Sequence, residues 1–154
     1  MVHSPGASDD HEYFMYWYDG NEIHRMDHPF DYAQPAFPGN GFVYVGSWAE
    51  YYIRTEKYQF DPSSRSFTEI PQYAYFVGIK VNVIKPFVIY SDEALKQKTA
   101  LLSKDSKIEI ILVRYNDSGC GFQGSLFLIK SQTGLIGWAK EDGITEYLKL
   151  PNAG

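Results

Sequence analysis

Two stretches in the last third of the chain constrain its architecture most. Lys107-Ile108-Glu109-Ile110-Ile111-Leu112-Val113-Arg114-Tyr115 is one strand-length apolar run, and Leu126-Phe127-Leu128-Ile129-Lys130 is a second. The polar turn Ser131-Gln132-Thr133-Gly134 then leads into a third, Leu135-Ile136-Gly137-Trp138-Ala139. Runs of this length, rich in Ile, Val and aromatic residues and bounded by a Gly turn, read as strands, and their close succession makes them antiparallel neighbours. A small antiparallel barrel is the predicted outcome. These strands offer no catalytic group, so they speak to fold and not to activity.

The remaining sequence extends the all-β reading toward the amino terminus. Aromatic residues make up 17% of the 154 residues, with thirteen Tyr and ten Phe, and such side chains suit a pleated, half-buried surface. Residues 1–11 are small, polar or charged and read as a loosely held tail. Residues 13–18 are almost wholly aromatic, and Asp19-Gly20-Asn21 supplies turn residues before Ile23 and Met26, which predicts a hairpin. After a loop with Pro29, Pro35 and Pro38, residues 42–48 read as a strand. Residues 51–60 and 67–70 then read as a second hairpin through Asp61-Pro62-Ser63-Ser64. Residues 92–102 are open to two readings, a short helix capped by Ser91 or Asp92, or a charged loop. Composition shifts near residue 78, from aromatic and turn-rich to aliphatic. The predicted organisation is a tail over 1–11 and an N-terminal antiparallel β-meander over 12–78, packed on a small C-terminal barrel over 79–150.

Charge and length exclude some classes of function. A formal net charge of −5 lacks the concentrated positive field that phosphate neutralisation needs, which argues against nucleic acid and anionic membranes as partners. No run of about 18 apolar residues is present for membrane insertion. Met1-Val2-His3-Ser4-Pro5-Gly6 lacks the charged and apolar regions of a secretory signal, so the chain reads literally as cytoplasmic. A targeting segment removed beforehand would leave the same sequence and place the protein at the cell envelope or outside the cell. The single cysteine, Cys120, rules out a disulfide within the chain, so packing must hold the fold.

Val81-Asn82-Val83 opens the second half, and Leu101-Leu102-Ser103-Lys104-Asp105-Ser106-Lys107-Ile108 reads as strand, polar turn and strand. Phe127-Leu128-Ile129-Lys130 and Thr133-Gly134-Leu135-Ile136-Gly137-Trp138-Ala139 follow as strand, Gly turn and closing Gly-Trp strand. In this order, over residues 79–149, they resemble a bacterial Src-homology-3-type domain, a small barrel that recurs in secreted and cell-envelope proteins. Ile84-Lys85-Pro86-Phe87 stands where that family has Arg-Ser-Gly-Pro, and residues 116–124 lengthen the middle loop. In such a barrel Gly137 is expected to bend the backbone at a corner, with the Trp138 indole capping one end of the core. The resemblance implies non-catalytic binding of a peptide, of cell-wall glycan or peptidoglycan, or of a protein partner, without metal or cofactor. Its ligand site is expected on barrel loops near Tyr90, Tyr115, Phe122 and Trp138. Upstream, Phe42-Val43-Tyr44-Val45-Gly46 with the segment from Tyr58 to Pro71 is similar to one kelch-type propeller blade. A propeller needs about four or more blades, so this resemblance implies a β-meander and nothing larger.

Other residues offer candidate chemistry. His3, His11, His24 and His28 all fall early, interleaved with Asp9, Asp10, Asp19, Asp27 and Asp31, and imidazole with carboxylate is a zinc-ligand set. In an extended chain, however, His24 and His28 sit about 13 Å apart, too far for one ion, and solvated or turn histidines are the default. A metal-dependent or cell-wall hydrolase using this segment is the alternative reading. Cys120 lies in a Gly-rich loop with no histidine after residue 28 to activate it, so an incidental thiol is favoured. The pairs Asp92 with Glu93 and Glu141 with Asp142 are sequence neighbours, which on a strand face opposite ways. Tyr13, Tyr16, Trp17, Tyr18, Tyr44, Trp48, Tyr51, Tyr52, Tyr73 and Tyr75 exceed what one core needs, and serve either as an exposed platform or as packing between the two halves. A third alternative is an architectural module of a larger assembly.

Overall fold

The computed structural model describes residues 2–5, 11–30, 35–49, 51–116, 124–140 and 144–151. Contacts divide the chain into two units, Met1–Ala49 with Ile53–Gln72, and Glu50–Tyr52 with Tyr73–Gly154. The division precedes the composition shift near residue 78, which falls inside a strand.

In the first unit, β1 (Val2–Pro5), β2 (His11–Tyr18) and β3 (Ile23–Met26) form an antiparallel sheet in that order. The expected loose tail therefore supplies a strand: Val2 pairs with Phe14 and Pro5 with His11, filling the edge of β2 away from β3. The predicted hairpin is β2–β3. Its turn is closed by the Asp19 carboxylate, which accepts the backbone N–H groups of Asn21 and Glu22, both at 2.9 Å. A second sheet has the order β4 (Pro35–Ala36), β5 (Phe42–Ala49), β6 (Tyr52–Asp61) and β7 (Ser66–Glu69). Its β6–β7 hairpin turns where predicted. The Asp61 carboxylate accepts from Ser63 N at 2.9 Å and from the Ser63 and Ser64 hydroxyls at 2.7 Å, and these bonds, Ser64's first, hold its pKa at about 2. The core is aromatic and thioether-rich: Met15, Met26, Phe30, Val43, Val45 and Tyr58 are buried, and Trp17, Phe60 and Phe67 pack against them. Phe30 meets the rings of Tyr58 and Phe67 edge-on at 5.2 and 5.0 Å.

The second unit is built on β8 (Tyr75–Val83), β9 (Phe87–Tyr90), β10 (Lys98–Leu102), β11 (Lys107–Arg114), β12 (Leu126–Ser131) and β13 (Ile136–Lys140). One four-residue helical turn, α1 (Ile144–Tyr147), leads to β14 (Leu148–Lys149). All seven strands pair antiparallel in the order β10-β9-β13-β12-β11-β8-β14, a curled half-barrel sheet. The curl has a local cause. Opposite Ile110 and Leu112 of β11 stand Ile79 and Phe76 on β8, and Ile129 and Leu128 on β12. Across this stretch β8 holds one residue more than β11, and β11 one more than β12. Such extra residues bend a strand and raise its twist, and on β8 Gly78 takes the left-handed conformation at φ 69°. The core is aliphatic, with Val81, Val83, Ile89, Ile108, Ile110, Val113, Phe127, Ile129 and Ala139 all buried.

One open reading is decided here and one expectation is corrected. Residues 92–102 hold no helix: the Asp92 side chain accepts the backbone N–H of Gln97 at 3.1 Å, and Leu95 donates to the Asp92 carbonyl at 3.1 Å. Asp92 thus closes a loop instead of capping a helix. Lys98–Leu102 then pairs with β9, with one extra residue between Lys98 and Ala100. The Gly-Trp motif also works differently from a corner with a plug. Gly137 has no left-handed φ; a Cβ there would lie 2.8 Å from the Tyr90 carbonyl oxygen and 2.9 Å from Ile89 Cβ. Glycine is needed so that β13 can approach β9. Because Gly137 and Ala139 are buried, alternation puts Trp138 on the opposite, outer face, where it is half-buried.

Candidate functional site

The outward turn of Trp138 brings it into a row. Trp138 pairs with Tyr90 on one side and Leu128 on the other; Leu128 pairs with Leu112, and Leu112 with Phe76. Five strands therefore contribute one apolar side chain each, in register, to the outer face. At about 4.8 Å per strand the row runs roughly 19 Å. Phe76 is 66% exposed, while Tyr90, Trp138, Leu128 and Leu112 are half-buried. Beside the row, Lys130 and Lys80 face Glu109 from either side, and Lys107 faces Asn82. These residues line an open basin of about 570 Å³.

Of the four residues expected at the ligand site, Tyr90 and Trp138 are thus brought together. Tyr115 lies elsewhere: its hydroxyl shares a hydrogen bond with that of Tyr52, and its ring meets Tyr75 edge-on at 5.4 Å. It helps line a smaller cavity of about 200 Å³ with Arg114 and Asn116. Phe122 lies outside the described residues, as do Cys120, Glu141 and Asp142. Next to the apolar row, Arg114 pairs with Glu93 and lies over the Tyr73 ring at 4.7 Å. Tyr73 also donates to Glu93, which raises its hydroxyl pKa.

No family model, curated protein or solved structure matches this chain.

The remaining candidates disperse. His24 pairs with Asp19 at 2.8 Å inside the first hairpin turn, and His28 Nε2 donates to the Tyr13 carbonyl at 2.7 Å while its ring stacks on Phe30. Among the described residues no three His, Cys, Asp or Glu side chains gather as metal ligands. The ten aromatic candidates also divide. Tyr13, Tyr51, Tyr52 and Tyr75 are buried, Tyr16, Tyr18, Trp48 and Tyr73 are exposed, and Trp17 and Tyr44 lie between.

One site feature escaped the sequence reading altogether. Glu56 is only 7% exposed, where it accepts from Ser47 Oγ at 2.8 Å, from the Tyr58 hydroxyl at 2.7 Å and from Arg54. Burial alone pushes its carboxyl pKa up, but the bonds from Tyr58, Arg54 and Ser47 together outweigh burial and leave it lowered. Burial first, then the Glu56 bond, raises the Tyr58 phenol. With the Glu56 carboxylate answered by three donors, this cluster is a structural anchor. Phe76, Leu112, Leu128 and the three lysines also went unnoticed, although unbroken runs such as Phe127-Leu128-Ile129 do signal a strand that is apolar on both faces.

Proposed function

We propose that the second unit is a Src-homology-3-like barrel serving as a non-catalytic binding module, and that its outer face receives a segment of a protein or peptide at the cell envelope. The observation that carries this reading is the in-register row of Tyr90, Trp138, Leu128, Leu112 and Phe76 on the face opposite the core. Apolar side chains lined up across five strands form a shallow, preordered platform, and a contiguous apolar patch on a folded surface marks an interaction site. Trp and Tyr are the side chains that most often dominate such contacts. The Gly134 turn between β12 and β13 and the return of β14 to pair with β8 support the barrel assignment. Peptide fits this site better than glycan because Leu128 and Leu112 occupy the middle of the row and lysines flank it.

Selection of displayed peptides on the full-length chain tests the reading. Selected peptides should lose about 2 kcal/mol, roughly thirtyfold, on Trp138→Ala, with an unchanged circular dichroism spectrum. Peptides that bind the variant equally well, or retention on insoluble peptidoglycan that Trp138→Ala leaves intact, would overturn it.

A further inference from the structure

We infer that the segment received by this face is acidic and extended, with an apolar residue at one position and carboxylates two and four residues further on. The inference rests on the binding reading above and specifies its ligand. The basin beside the apolar row is edged by Lys80, Lys107 and Lys130, all exposed, with Glu109 the single carboxylate among its lining residues. Glu109 faces both Lys80 and Lys130 across the strands, yet among the described residues none of the three lysines has an ion-pair partner. Asn82 and Gln132 add amide donors at the same rim. Three ammonium groups against the one Glu109 carboxylate leave this surface net positive, and an anionic occupant relieves the excess charge.

Strand geometry sets the spacing of that occupant. Lys130 stands two residues beyond Leu128 on β12, and Lys107 two residues before Glu109 on β11. Each two-residue step along a strand covers about 6.8 Å. Along β12, the strand without an extra residue, the face therefore repeats from the apolar row at Leu128 to the first lysine row at Lys130 at that interval, and the second lysine row, at Lys107 and Asn82, lies one step further. A peptide running alongside these strands in extended form has the same interval between residues i, i+2 and i+4. An apolar side chain on Trp138 and Leu128 thus brings the next carboxylate to Lys130 and the one after it toward Lys107, with Lys80 adding positive charge from the far side of β11.

The test uses the full chain and three fluorescein-labelled peptides with leucine at the first position. They carry glutamate, glutamine or lysine at both the third and fifth, and inorganic polyphosphate serves as competitor. The glutamate peptide should bind on the order of tenfold tighter than the glutamine peptide and weaken as salt rises from about 50 to 200 mM. The combined variant Lys80→Glu, Lys107→Glu, Lys130→Glu should reverse the order in favour of the lysine peptide. The milder Lys→Gln set, with the fold checked by circular dichroism, should abolish the preference. Equal binding of the glutamate and glutamine peptides, with both still lost on Trp138→Ala, sinks the acidic ligand while leaving the binding module standing. Glutamate-peptide binding that survives Trp138→Ala unchanged sinks the apolar anchor, and polyphosphate competing as well as the peptide sinks the peptide assignment.

Discussion

Glu56 shows how far a single side chain can depart from its apparent place in the sequence. Within Arg54-Thr55-Glu56-Lys57-Tyr58 it looks like one more polar strand residue, and only the packed structure makes it a buried acceptor for Ser47, Arg54 and Tyr58. Glu56→Gln removes the charge that Arg54 answers and should cost about 1–3 kcal/mol in urea denaturation. The pH dependence follows from the direction of the shift. A carboxyl whose folded pKa is depressed stabilises fully above its unfolded value, about 4.3, and loses that contribution as pH falls toward the folded value. Wild-type stability should therefore decline on acidification below about pH 4.3, and Glu56→Gln should flatten that part of the profile. Gly137 makes the complementary point for backbone. Gly137→Ala sets a methyl against the Tyr90 carbonyl and Ile89, with an expected loss of about 1–3 kcal/mol from overpacking. At Gly134, where nothing lies within 4 Å but φ is +89°, alanine should cost only about 1 kcal/mol.

Strands and their turns were largely readable, because period and turn chemistry are local. Asp19-Gly20-Asn21 and Asp61-Pro62-Ser63-Ser64 both turn the chain where their residue types said they would, with a carboxylate collecting the exposed N–H and O–H donors. Side-chain carboxyl titration by NMR should place the Asp61 midpoint at about 2. Residues 92–102 were ambiguous because Asp92 and Ser91 satisfy backbone amides equally well in a helix cap or a closed loop. The paired bulges were invisible for another reason: they depend on which strand lies alongside, and β8 meets β11 across a gap of many residues. Gly78 marks the bend, yet a glycine in a strand does not announce which neighbour it bends against. Gly78→Ala, which puts an L side chain at φ 69° and a Cβ 2.5 Å from the Phe76 ring, should lose about 1–3 kcal/mol and disturb the Phe76 end of the outer row.

At the scale of the molecule, charge is distributed unevenly. The first unit has four Lys and Arg against ten Asp and Glu, a net of −6, and the second has ten against nine, a net of +1. The total of −5 hides this, which is why the sequence reading saw an acidic chain and missed a lysine-edged basin. Tyr90 and Trp138 are cross-strand neighbours, but on the outer face, whereas the indole was expected to cap the core. Turbidity measured from about pH 4 to 8 should peak near the sequence pI of 5.3, where the net charge vanishes. The half-barrel sheet also has a consequence at its rim. It stops at β10, whose Leu101 is 66% exposed, and the unpaired backbone groups of an edge strand invite strands of other copies to add on. The extra residue at Thr99 and the charge of Lys98 interrupt that edge, and a bulge and a lysine on an edge strand are devices that keep copies of a folded chain from joining sheet to sheet.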